Sequence, residues 1–238
     1  MSAEPQLLIV AADPAPWADA VMSLASPHRR TVVVLPEADI ETSSVEVVVG
    51  APPDLAAIIP RCPQLRWVQS TWAGIDAIAH FASEALQITP LKGVFGPAMT
   101  EYVMGWLLAI ERNVISRASH THWTPSLEPR ITGKRMGIMG TGGIGTAIAL
   151  AAKAFGLEVI GFNSDGRAVD GFNTCYSSTD RLAFAEELDY LVSVLPQTAL
   201  TDNLIDHELL MQLNPKAIVI NAGRGNAVVE ADLIASLN

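Results

Sequence analysis

The sequence predicts an α/β protein built on parallel, doubly wound sheets. Short apolar runs recur along the chain with helical segments between them, and one such run enters a glycine-rich turn that opens a helix. Half of the 238 residues are hydrophobic and only 17% are charged, enough to bury a sizeable core. Strands alternating with helices imply a parallel sheet, and strands covered on both faces read as continuous apolar runs.

The first hundred residues read as an α/β unit of their own. Leu7-Leu8-Ile9-Val10, Thr31 to Leu35 and Val45 to Val49 have the pattern of buried strands. A fourth, Arg66 to Ser70, runs into the glycine-bearing loop Thr71-Trp72-Ala73-Gly74. Pro52, Pro53, Pro60 and Pro63 punctuate the connections. Pro97 sits where a first helical turn tolerates proline, so Ala98 to Asn113 is predicted to be a long, mostly apolar helix. A helix apolar nearly all round must be covered, by a domain junction or by a second subunit.

Met136 to Met139 then leads into Gly140-Thr141-Gly142-Gly143-Ile144-Gly145, after which Ile144, Ile148, Ala151 and Phe155 recur at helical spacing. A second strand-like run, Leu157 to Phe162, follows. G-x-G-x-x-G between a strand and a helix is the dinucleotide-binding turn of a Rossmann sheet. Its first glycine makes the tight turn, and its second admits a pyrophosphate. Its third lets helix pack on strand, and the helix N-terminus holds the phosphate charge. Leu188 to Leu195 and Ala217 to Asn221 are further strand-like runs. Ligands bind beyond the carboxyl ends of such strands, which singles out Leu195-Pro196-Gln197-Thr198 and Asn221-Ala222-Gly223-Arg224-Gly225.

A formal charge of −10 argues against nucleic acid or an anionic membrane as partner. The longest apolar runs fall short of a membrane span, and Met1 to Pro5 lacks the basic start of a signal peptide. Cys62 and Cys175 have no metal-type spacing and fit reduced thiols in a cytoplasmic protein; no metal site is predicted.

These segments together resemble the D-isomer-specific 2-hydroxyacid dehydrogenase family. Leu65 to Asp76 resembles its substrate loop. Gly93 to Val103 resembles the entry to its inter-domain helix, in the form of glyoxylate/hydroxypyruvate reductase-like members. Gly140 to Gly145, Leu195 to Thr198 and Asn221 to Gly225 resemble its cofactor-domain signatures. The resemblance implies a flavodoxin-like substrate domain over residues 1–100 and an NAD(P)-binding Rossmann domain over 101–238. It implies hydride transfer between a nicotinamide and C2 of a small 2-oxo or 2-hydroxy acid, glyoxylate and hydroxypyruvate being the natural candidates. Arg224 matches the family arginine that clamps the substrate carboxylate, with backbone amides near Ala73 and Gly74 on its other side. Trp72, where many members carry glycine, either narrows the pocket or packs as an aromatic wall. Leu195 and Pro196 would line the nicotinamide ribose, and Ala222 and Gly223 belong to the cofactor signature. Thr201 reads equally as a cofactor contact and as a polar residue opening a helix. Members of the family pair through this long helix, so the resemblance also implies a homodimer.

An acidic residue at the end of the second strand would read the ribose 2′-hydroxyl of NAD. Asn163 stands there, eighteen residues after Gly145, followed by Ser164, Asp165, Gly166 and Arg167. The neutral Asn163 and the cationic Arg167 favour NADP over NAD, while Asp165 pulls the other way.

In the family the acid and histidine of the proton-transfer pair, the last strands and a returning C-terminal segment all lie downstream of the position of Asn238. The resemblance therefore implies a truncated cofactor domain, poorly active alone, whose Ala217 to Asn221 strand is left as an apolar edge. His28, His80, His120, His122 and His207 match no family catalytic position. A non-catalytic dinucleotide-binding module or partner subunit is the alternative. A methyltransferase is disfavoured by Asn163, and a short-chain dehydrogenase by the lack of a lysine four residues after Tyr102, Tyr176 or Tyr190.

Overall fold

The computed structural model describes residues 6–24, 30–123, 125 and 127–237. His28, Asn238 and the first five residues lie outside them. The chain divides into two units, Met1–Lys92 and Gly93–Asn238. This division falls ahead of residue 100 because the long helix packs with the second unit.

In the first unit the elements run β1 (Gln6–Val10), α1 (Ala15–Leu24), β2 (Arg30–Val34), β3 (Val45–Gly50), α2 (Pro52–Ile58), β4 (Trp67–Ser70) and β5 (Gln87–Thr89). All pair in parallel in the order β2-β1-β3-β4-β5, the flavodoxin-like arrangement. Leu8, Val10, Val48 and Val68 meet Leu55 and Ile58 of α2 in one apolar cluster. The short edge strand β5 carries too few apolar residues to register as a strand from its sequence.

The second unit opens with α3 (Gly96–Glu111), followed by α4 (Val114–Ala118), β6 (Arg135–Met139), α5 (Gly143–Ala154), β7 (Glu158–Phe162) and β8 (Thr174–Tyr176). It continues with α6 (Arg181–Ala185), β9 (Tyr190–Ser193), α7 (His207–Leu210), β10 (Ile218–Asn221) and α8 (Glu230–Ser236). The parallel order is β10-β9-β6-β7-β8, which within the unit reads 3-2-1-4-5 from the other edge, the Rossmann order. As expected, β10 is an edge strand, with Ile218 and Val219 only partly covered.

Successive strand residues feed two apolar layers, which is why these strands are apolar throughout. Met136, Ile138, Val159, Tyr190 and Val192 pack with Val103 and Leu107 of α3 and Ile148 and Ala152 of α5. Met139, Ile160, Phe162 and Leu191 pack with Phe184 of α6 and Leu209 of α7. The long helix starts at Gly96, with Pro97 in its first turn, and stops at Glu111 because Asn113 takes a left-handed φ of 51°. Only Val103, Met104 and Leu107 of α3 are buried, and Tyr102, Trp106 and Ile110 stay exposed. No helix among the described residues is long and apolar enough to cross a membrane.

Candidate functional site

The sheet order of the second unit reverses between β6 and β9, so a crevice opens at their carboxyl ends. Three turns line it. Gly140 follows β6 with a φ of +102°, a conformation that side-chain-bearing residues resist, and its N–H donates to Phe162 O at 2.9 Å. Gly145 lies in the first turn of α5, where a Cβ would come 1.9 Å from Gly140 O. Helix and strand meet backbone to backbone there. A Cβ on Gly142 or Gly143 would meet nothing within 4 Å. Both residues are exposed where the N-terminus of α5, capped by no side chain, presents its donors. Strand, tight turn, open glycines and helix N-terminus fit a dinucleotide pyrophosphate.

The turn after β9 is held by Thr201. Its hydroxyl donates to Pro196 O at 2.7 Å and accepts from Thr198 N at 2.9 Å, and the residue is 9% exposed. In the structure Thr201 spends these hydrogen bonds on the loop that carries Leu195 and Pro196.

The turn after β10 lies against the same loop. Ala222 N–H donates to Ser193 O at 2.9 Å, and a Cβ on Gly223 would come 2.6 Å from Leu195 O. Asn221 folds the turn: Oδ1 accepts from Gly223 N at 3.1 Å and Nδ2 donates to Arg224 O at 2.9 Å. Arg224 is thereby presented half-buried beside the β9 turn, its guanidinium 3.4 Å from Gly223 O. The two segments that position alone had singled out are thus adjacent.

After β7, Asn163 is 8% exposed and spent on the protein itself. Its Nδ2 donates to Thr141 Oγ1 at 3.1 Å and to Arg167 O at 3.0 Å, while Oδ1 accepts from Gly166 N at 2.7 Å. Arg167 is exposed and ion-paired with Asp165 at 2.8 Å, and Ser164 is exposed with its carbonyl accepting from Ser178 Oγ at 3.2 Å. The roles of Thr141 and Asn221 as hydrogen-bond partners were not visible in the sequence, since each sits inside a glycine motif and finds its partner only in the folded turn.

In the first unit, Ser70 at the end of β4 shapes the loop that follows. Its hydroxyl accepts from Trp72 N at 2.9 Å and donates to Trp72 O at 3.0 Å. Trp72 is half-exposed, Ala73 exposed and Gly74 partly covered. His80, His120, His122 and His207 are all exposed, and His207 lies beside Asp206, whose carboxylate is engaged by Arg181 at 2.7 Å. Among the described residues no cluster of His, Cys, Asp and Glu could hold a metal ion.

Residues 104–238 match the model of the NAD binding domain of D-isomer specific 2-hydroxyacid dehydrogenases. The chain belongs to this family. It is 33% identical over 195 residues to glyoxylate/hydroxypyruvate reductase B of Salmonella newport, an alignment covering 76% of this chain and 59% of that protein. A family crystal structure from Aeromonas salmonicida superposes with a TM-score of 0.87 at 30% identity, covering 99% of this chain and 78% of that one. The NADPH-dependent glyoxylate/hydroxypyruvate reductase of Sinorhizobium meliloti, solved with NADP and sulfate, gives 0.82 at 25% identity, covering 99% and 77%. The chain spans 59 to 66% of the length of the curated relatives it matches first.

Proposed function

We propose that this chain binds NADP in preference to NAD and serves the reversible reduction of a small 2-oxo acid, glyoxylate or hydroxypyruvate being the first to test. The observation that carries the reading is the open Gly142–Gly143 turn at the switch point of the second sheet, with the Arg224 turn locked beside the adjacent strand end. The family match and the NADP complex of the Sinorhizobium relative support it.

When bound, the nicotinamide supplies or accepts the hydride. Gly140, Gly142, Gly143, Ile144 and Gly145 form the pyrophosphate cradle, with main-chain N–H groups aimed at its charge. Leu195 and Pro196 wall the nicotinamide ribose in a loop kept rigid by Thr201. Arg224 clamps the substrate carboxylate with two parallel N–H donors and withdraws charge from the keto oxygen. Ala222 and Gly223 bring it there. The loop Trp72, Ala73 and Gly74 is the proposed substrate loop of the first unit.

The exposed side chains Tyr102, Trp106 and Ile110 on α3 support a homodimer. Cytoplasmic residence fits two cysteines that remain free.

The test follows loss of nicotinamide absorbance with NADPH and NADH on glyoxylate and hydroxypyruvate, beside fluorescence titration of each cofactor. Oxidation that drops about 10²–10³-fold in Arg224→Ala supports the reading. Binding without turnover would favour a dinucleotide-binding module, and no binding would overturn both.

A further inference from the structure

The turn after β7 carries a charge arrangement that the dinucleotide reading does not by itself explain. Asn163 cannot read a ribose. An amide has two N–H donors and one oxygen, and here both donors and the oxygen are used within the protein, on Thr141, Arg167 and Gly166. What this side chain does is hold the turn.

The turn is tied down further by an antiparallel bridge between Asp165 and Ser177 and by Ser178 donating to Ser164 O at 3.2 Å. On this fixed backbone stand two opposite charges. Asp165 Oδ1 accepts from the Arg167 guanidinium at 2.8 Å and from its backbone N–H at 3.4 Å. Their side chains are 58% and 60% exposed, so either can swing away cheaply.

A carboxylate at the end of the second strand suits a 2′-hydroxyl, and an arginine suits a 2′-phosphate. Here the two neutralise each other. Resting on the dinucleotide reading above, we propose that Asp165 sets the cofactor preference. It occupies Arg167 in place of the 2′-phosphate, which gains that guanidinium only by displacing it. With NAD the same carboxylate turns to the ribose hydroxyl. Arg167 is the phosphate ligand and Asp165 its internal competitor, which keeps both cofactors usable and the preference between them shallow.

The experiment is fluorescence titration of the whole chain with NADPH and NADH, unaltered and as Asp165→Asn, Asp165→Ser and Arg167→Gln. Asp165→Asn and Asp165→Ser are expected to raise the NADPH-to-NADH affinity ratio about tenfold, the size of one charge contact. Arg167→Gln should lower NADPH affinity and leave NADH little changed. Combining Asp165→Asn with Arg167→Gln in one chain should show that the two effects are not additive. A pair that merely braces the turn would move both cofactors together, so an unchanged ratio in both Asp165 variants overturns the proposal while the dinucleotide reading stands. Failure of the unaltered chain to bind either cofactor overturns that reading and the proposal with it.

Discussion

The side-chain amide of Asn163 donates to Thr141 Oγ1 at 3.1 Å, tying the turn after β7 to the glycine turn after β6. The two residues lie 22 positions apart, and the bond is buried. It couples the turn proposed to face the ribose to the turn proposed to hold the pyrophosphate, so damage to either should be felt at both.

Asn163→Asp tests this coupling. From the sequence alone the change restores an acid that favours NAD. In the structure it removes both N–H donors and sets a carboxylate against Arg167 O. We expect stability to fall by about 1–3 kcal/mol and affinity for both cofactors to drop, with no switch toward NAD. Denaturant titration and cofactor titration on the same samples decide it.

Gly145→Ala and Gly142→Ala should separate packing from binding. An alanine at 145 puts its Cβ 1.9 Å from backbone oxygen, which no rotamer relieves, and about 1–3 kcal/mol of stability should be lost. At 142 the Cβ enters open space, so the melting temperature should hold within a few degrees while NADPH affinity falls at least about tenfold. Equal loss of binding and stability in both variants would count against Gly142 as a cofactor contact.

Tyr190 and Glu111 give a pH prediction. The phenol donates to Glu111 Oε1 at 2.6 Å, and Lys134 Nζ donates to the same oxygen at 2.6 Å. Burial, together with the Glu111 carboxylate, pushes the Tyr190 phenol well above its ordinary range. A raised folded-state value means the contribution is fully present below the unfolded tyrosine pKa of about 10 and is lost as pH climbs above it. The unaltered chain should therefore lose stability more steeply between about pH 10 and 11 than Tyr190→Phe, at up to about 1.4 kcal/mol per pH unit. Near neutral pH, Tyr190→Phe should cost about 1–2 kcal/mol. Parallel alkaline slopes would contradict the assignment.

Trp106→Glu addresses the proposed dimer. Trp106 is 46% exposed on α3, flanked by Tyr102 and Ile110. A charge there should leave the fold intact, since Val103, Met104 and Leu107 carry the helix's buried face. Light scattering after gel filtration should show the mass halved. An unaltered chain that is already monomeric would remove the proposal.

The alternation of strand and helix, the glycine turn and the dinucleotide class were legible in the sequence, because each rests on local chemistry. A buried strand must be apolar, and Gly140 and Gly145 must lack side chains. The short edge strands β5 and β8 were not legible, since an edge with one neighbour needs few apolar residues. Nor were the functions of polar side chains. Asn163, Thr201 and Asn221 all stand in motif positions that read as ligand contacts or mere flanks, yet Thr201 and Asn221 hydrogen-bond within the turns that bear them and Asn163 ties its own turn to Thr141. Where a hydroxyl or amide finds its partner depends on which turns the sheet order brings together. That order is decided by packing two apolar layers against one sheet, a property of the whole second unit that no local stretch of sequence contains.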